Sequence, residues 1–68
     1  MAKYVINPAG TMAIIKEDVR AVHIYDDPKT DDYSLLIKAN WAMDLLWDHG
    51  TLEYVQGVGA ALLAELES

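Results

Sequence analysis

Residues 33–50 read YSLLIKANWAMDLLWDHG, and the fold class turns on them. Tyr33, Leu35, Ile37 and Ala39 alternate with Ser34, Leu36, Lys38 and Asn40, the period of two that a half-buried strand requires. After a turn at Asn40 the alternation resumes, with Trp41, Met43, Leu45 and Trp47 set against Ala42, Asp44, Leu46 and Asp48. This second set predicts another strand with its large apolar side chains inward. A helix there would place Asp44 and Asp48 in the same stripe as Trp41 and Leu45, which counts against it. His49-Gly50 ends the run, and from Thr51 the period changes to that of a helix. Thr51 is a plausible N-cap, Glu53 suits the positive end of the helix dipole, and Leu52, Val55, Gly59, Leu62, Leu63 and Leu66 follow one face. Gly57, Gly59, Ala60 and Ala61 form a small-residue patch that allows close approach to a neighbour.

Towards the N-terminus the elements are shorter. Tyr4-Val5-Ile6 and Met12-Ala13-Ile14-Ile15 are β-prone runs separated by Asn7-Pro8-Ala9-Gly10, a turn in which Pro8 presets φ and Gly10 takes positive φ. Lys16-Glu17-Asp18 is a tight polar connection into a strand over Val19–Tyr25. The phase of that strand is ambiguous: Val19, Ala21, His23 and Tyr25 compete with Val22 and Ile24 for the inner side. Asp26 to Asp32 is a loop. The predicted order is therefore β-β-β-β-β-α: an α+β fold with a small antiparallel meander of four to five strands and one C-terminal helix on one face.

With 68 residues, 7.6 kDa and no cysteine, the chain has room for a single domain (residues 1–68) held by burial alone. Hydrophobic residues make up 53% and mean hydropathy is +0.07, values of a packed domain and not of a disordered tail. No apolar run approaches the 18 or so residues of a membrane helix, and the N-terminus has no signal-peptide pattern, which together predict a cytoplasmic protein. Eleven acids against five bases give a net charge of −6. Nine of those acids lie from Asp26 onward, facing only Lys29 and Lys38. Such a surface disfavours nucleic acid and anionic membranes and attracts a basic partner.

Chemistry-bearing constellations are few. His23, in mid-strand, and His49, at the strand–helix break, both read as structural residues, and neither has companions at zinc-ligand spacing. The DDPKTDD loop lacks the glycine and terminal glutamate of a calcium loop and carries Lys29 at its centre. Gly57-Val58-Gly59 lies within the helix and matches no phosphate-binding pattern. The sequence thus predicts no enzyme, no metal and no cofactor.

A lone helix covers one face of a meander and leaves the other open. Leu36 and Leu46 fall on that open face, with Val22 or Ile24 beside them, and the acids Asp44, Asp48, Asp26, Asp27, Asp31 and Asp32 complete the predicted protein-binding surface. In size, acidity and layout the chain resembles the small stand-alone proteins of phages and mobile elements, anti-CRISPR proteins among them. That resemblance implies an inhibitor or adaptor acting on a host protein complex. Two alternatives remain: a homo-oligomeric structural or accessory protein, dimeric through the same face, and a nucleic-acid mimic whose carboxylates occupy a basic groove.

Overall fold

The computed structural model describes residues 3–29 and 31–67. It has the expected α+β architecture: antiparallel strands with one C-terminal helix packed on them. The strands divide into two sheets. β1 (Tyr4–Ile6) and β2 (Ala13–Ile15) form a two-stranded hairpin, and β3 (Val19–Asp27), β4 (Asp32–Ala39) and β5 (Leu45–Gly50) form a three-stranded meander in that order. A 3-10 turn over Lys16–Asp18 joins them, and α1 spans Leu52–Glu67.

Local chemistry accounts for each element. The first hairpin turns where proline and glycine predict it: the Gly10 amide donates to the Asn7 carbonyl at 2.9 Å, and Gly10 has φ of 73°. The helix begins as its cap predicts, with the Tyr54 amide donating to Thr51 Oγ1 at 3.2 Å and the Val55 amide to the Thr51 carbonyl at 3.0 Å. Gly50 stands at the corner between β5 and α1 with φ of 152°, and a Cβ there would lie 2.9 Å from the Tyr54 ring. Only glycine fits that corner without strain.

The core lies where the three units meet. Val5 and Ile14 come from the hairpin, Leu35, Ile37 and Trp47 from the sheet, and Val55 and Leu62 from the helix, all 4% exposed or less. Gly59 brings the helix against the sheet, its missing Cβ position 3.4 Å from Leu35 Cδ1. Leu52 and Leu63, expected on the buried stripe, are 39% and 51% exposed at its margins, while Val58 takes a half-buried place.

The structure corrects three expectations. First, the strand predicted over Trp41–Trp47 begins only at Leu45. The Ala39 amide donates to the Ala42 carbonyl at 2.8 Å, closing a turn, and Asp44 adopts left-handed backbone with φ of 58°. Trp41 and Met43 are consequently 60% and 70% exposed, and of the four residues predicted inward only Trp47 is fully buried. Asp18 holds this loop in place, accepting from Asn40 Nδ2 and Trp41 Nε1, each at 3.2 Å.

Second, Val22 and Ile24 lie on the helix side of the sheet. Their partners on β4 are Ile37 and Leu35, both buried under α1. A bulge between Val19 and Ala21 resets the alternation, so that Val19 and Val22 both pack against the core. His23 and Tyr25 face the opposite way.

Third, Asp48 is on the helix side. A second bulge puts Trp47 between the pairs Leu36–Leu46 and Leu35–Asp48, which sends both Trp47 and Asp48 towards α1. Without that extra residue, Asp48 would share the outer face with Leu46.

Candidate functional site on the open face of the sheet

The face of the meander turned away from α1 is built by alternation. Leu35, Ile37 and Ala39 of β4 are buried beneath the helix, so Ser34, Leu36 and Lys38 point outward. Register then sets their neighbours. His23, Leu36 and Leu46 form one row across all three strands, Tyr25, Ser34 and His49 a second, and Ala21 with Lys38 a third. Leu36 and Leu46, predicted together from the sequence, are direct cross-strand partners. Leu46 is 48% exposed and Tyr25 51%, around a half-buried Leu36. An apolar centre bordered by Lys38, His23, His49 and Ser34 has the anatomy of a modest interface core with a polar rim.

Of the six aspartates predicted to join this face, Asp26, Asp27, Asp31 and Asp32 gather at the tip of the β3–β4 hairpin, whereas Asp44 and Asp48 stand apart from them. Asp27 and Asp32 are cross-strand partners at the tip of the β3–β4 hairpin and border the face there. Asp32 Oδ2 is 3.4 Å from His49 Nδ1, an exposed contact that becomes an ion pair when the imidazole is protonated. Asp26 has Tyr33 as its partner, on the helix side of the register. Asp31 sits in the hairpin loop with φ of 57°, and Asp27 Oδ1 caps that loop by accepting from the Lys29 amide at 3.0 Å. Asp44 is in the β4–β5 loop at the far end of the sheet.

Asp48 has a local role. It accepts a hydrogen bond from the Tyr54 hydroxyl at 2.6 Å, joining β5 to the first turn of α1. That hydrogen bond is the main cause, with desolvation and the nearby negative charge behind it, that pushes the Tyr54 pKa above its usual value near 10. Because the folded-state pKa is raised, the bond's contribution to stability is fully present below the pKa of the unfolded tyrosine. It is lost as pH rises through the folded-state value. In a spectrophotometric titration Tyr54 should ionise late, above the usual tyrosine value. Tyr54→Phe should delete that late step, and its survival in the variant would assign it to another ring.

Sequence reading missed the part played by His23 and Tyr25, because apolar residues occupy both phases of β3 and the bulge at Arg20 alone decides between them. A second apolar surface also went unforeseen. Tyr4, Ile6 and Ile15 stand on the outer side of the first hairpin at 53%, 54% and 55% exposure. Between this hairpin and α1 runs an open groove of about 640 Å³, with Ile6, Pro8, Val58 and Leu62 along it and Glu53 and Glu65 among its lining.

Among the described residues, no three histidine, aspartate or glutamate side chains converge in a way that suits a metal ion, and no helix is long and apolar enough to cross a membrane. Comparison of the chain with protein families, with curated proteins and with solved structures finds no match.

Proposed function

We propose that this chain is a small acidic protein-binding module, without catalytic activity of its own, that captures a protein partner on the open face of its meander. The observation that carries this reading is the apolar row Leu36–Leu46 on the sheet face left uncovered by α1, with Tyr25 beside it. A face that met only water would carry polar side chains at nearly every outward position, as Ser34 and Lys38 do. Asp27 and Asp32 at one border, together with a net charge of −6, favour a partner with a basic surface. An inhibitor or adaptor suits a chain of this size, which acts by occupying another protein's surface and needs no pocket for chemistry.

Leu46→Asp tests the proposal. Leu46 is half exposed and lies outside the buried cluster, so the variant should melt within about 1 kcal/mol of the parent. Affinity purification from the native host, with parent and variant as paired baits, should lose the specific partner in the variant. A variant that unfolds places Leu46 in the core. One that folds and retains every partner places the interface elsewhere.

A further inference from the structure

The meander has two borders, and they are treated differently. At β5 the Trp47 carbonyl accepts a hydrogen bond from Asn7 Nδ2 at 3.1 Å, so the first hairpin is tied to that border. Among the described residues β3, nine residues long, is hydrogen-bonded to β4 on one side only. Its middle, Ala21-Val22-His23-Ile24-Tyr25, contains no lysine, proline or acid. Those are the residues with which natural sheets blunt an exposed edge. Between the bulge at Arg20 and the acids Asp26 and Asp27, this stretch of edge presents a row of backbone donors and acceptors ready for another strand.

The side chains of β3 indicate which strand. In an antiparallel pair with a second copy, centred on His23, Val22 opposes Ile24, Ala21 opposes Tyr25, and Arg20 opposes Asp26. Each contact occurs twice by symmetry. Val22 and Ile24 are on the helix side, where a shallow apolar groove of about 370 Å³ opens between β3 and α1, lined by Ile24, Leu35, Gly59, Ala60 and Leu63. Pairing sets the two grooves side by side, covering Ile24 and Leu63, which are 37% and 51% exposed in the single chain. Arg20 is the bulged residue with no cross-strand partner on β4, and neither it nor Asp26 forms a side-chain ion pair among the described residues. Shifting the centre to Val22 sets Arg20 against Ile24, and shifting it to Ile24 sets Asp26 against Val22. Charge therefore selects the register through His23.

We infer that two copies of this chain associate through their β3 edges about a two-fold axis at His23, joining two three-stranded meanders into one continuous sheet. The contact uses the border of the sheet and leaves the Leu36–Leu46 face free, so it stands independently of the function proposed above.

Sedimentation equilibrium over a micromolar to millimolar range should give a mass approaching twice 7.6 kDa. Arg20→Asp and Asp26→Arg each turn two attractions into two repulsions. Each should weaken the dimer by about tenfold or more, on the scale of exposed charge pairs. The double variant R20D/D26R restores the pairing and should recover the affinity of the parent, a result that damage to the fold would not produce. A parent that stays monomeric through the millimolar range overturns the inference. So does a dimer that ignores both single substitutions, or one that dissociates on Leu46→Asp in their place.

Discussion

Trp47→Ala is expected to leave the chain largely unfolded in thermal and urea melts followed by far-UV circular dichroism. Trp47 is 2% exposed and lies in the cluster that joins Val5 and Ile14 of the hairpin, Leu35 and Ile37 of the sheet, and Val55 and Leu62 of the helix. Truncating a buried tryptophan costs about 3–5 kcal/mol, because the loss of transfer energy is joined by a cavity that the surroundings only partly fill. A single core in a domain of this size supplies about 3–5 kcal/mol in total, so the loss consumes most of the stability. The control is internal. Trp41→Ala alters a side chain that is 60% exposed, and should shift the melt by no more than about 1 kcal/mol through its bond to Asp18. Equal melting of the two tryptophan variants would mean that the bulge at Trp47 has been given the wrong facing.

Asn7→Ala is expected to rank next, with a loss of about 2–4 kcal/mol. Asn7 is the one polar residue among the buried positions of the described residues, at 6% exposure. Its side chain is fully used: Oδ1 accepts from the amides of Thr11 and Met12 at 2.8 and 3.0 Å, and Nδ2 donates to Thr11 Oγ1 at 3.0 Å and to the Trp47 carbonyl at 3.1 Å. Alanine leaves the Trp47 carbonyl without this donor in a site closed to water, and an unmet buried group is costlier than a hydrogen bond is favourable. Asn7→Asp separates the two halves of the network. It keeps the acceptor for Thr11 and Met12 but turns an oxygen towards the Trp47 carbonyl, and should recover little of the loss. Amide exchange at Thr11 and Met12 reads the same network directly. Protection there that survives in Asn7→Ala would show that the backbone holds the turn unaided.

Elements governed by neighbours in sequence were the legible ones. Thr51 caps the helix, Asn7-Pro8-Ala9-Gly10 turns the hairpin, and Leu35-Leu36-Ile37 alternates as a half-buried strand must. Leu36 and Leu46 could be assigned to one face because a strict period of two connects residue type to side. Reading failed where a distant residue or an inserted one intervenes. The loop over 40–44 imitates a strand in its alternation, yet it is held by Asp18, more than twenty positions earlier. Bulges at Arg20 and Trp47 each add one residue, enough to move Val22, Ile24 and Asp48 to the other side. Asn7 reads in sequence as an ordinary turn former, since nothing local reveals that its amide spans 40 positions to Trp47.

That span has a consequence for the order of events when the chain is made. A two-stranded hairpin alone is marginal in water. Val5 and Ile14 are buried in a cluster with Leu35, Ile37, Trp47, Val55 and Leu62, and the distant acceptor of Asn7 is the Trp47 carbonyl. The β1–β2 hairpin is thus the last of these elements able to settle, because everything that fixes it lies later in the sequence. The β3–β4 hairpin, whose strands are joined by a short loop, has no such wait. Native contacts should accordingly accumulate from the middle of the chain outward, with the amino-terminal hairpin closing over a sheet and helix already in place.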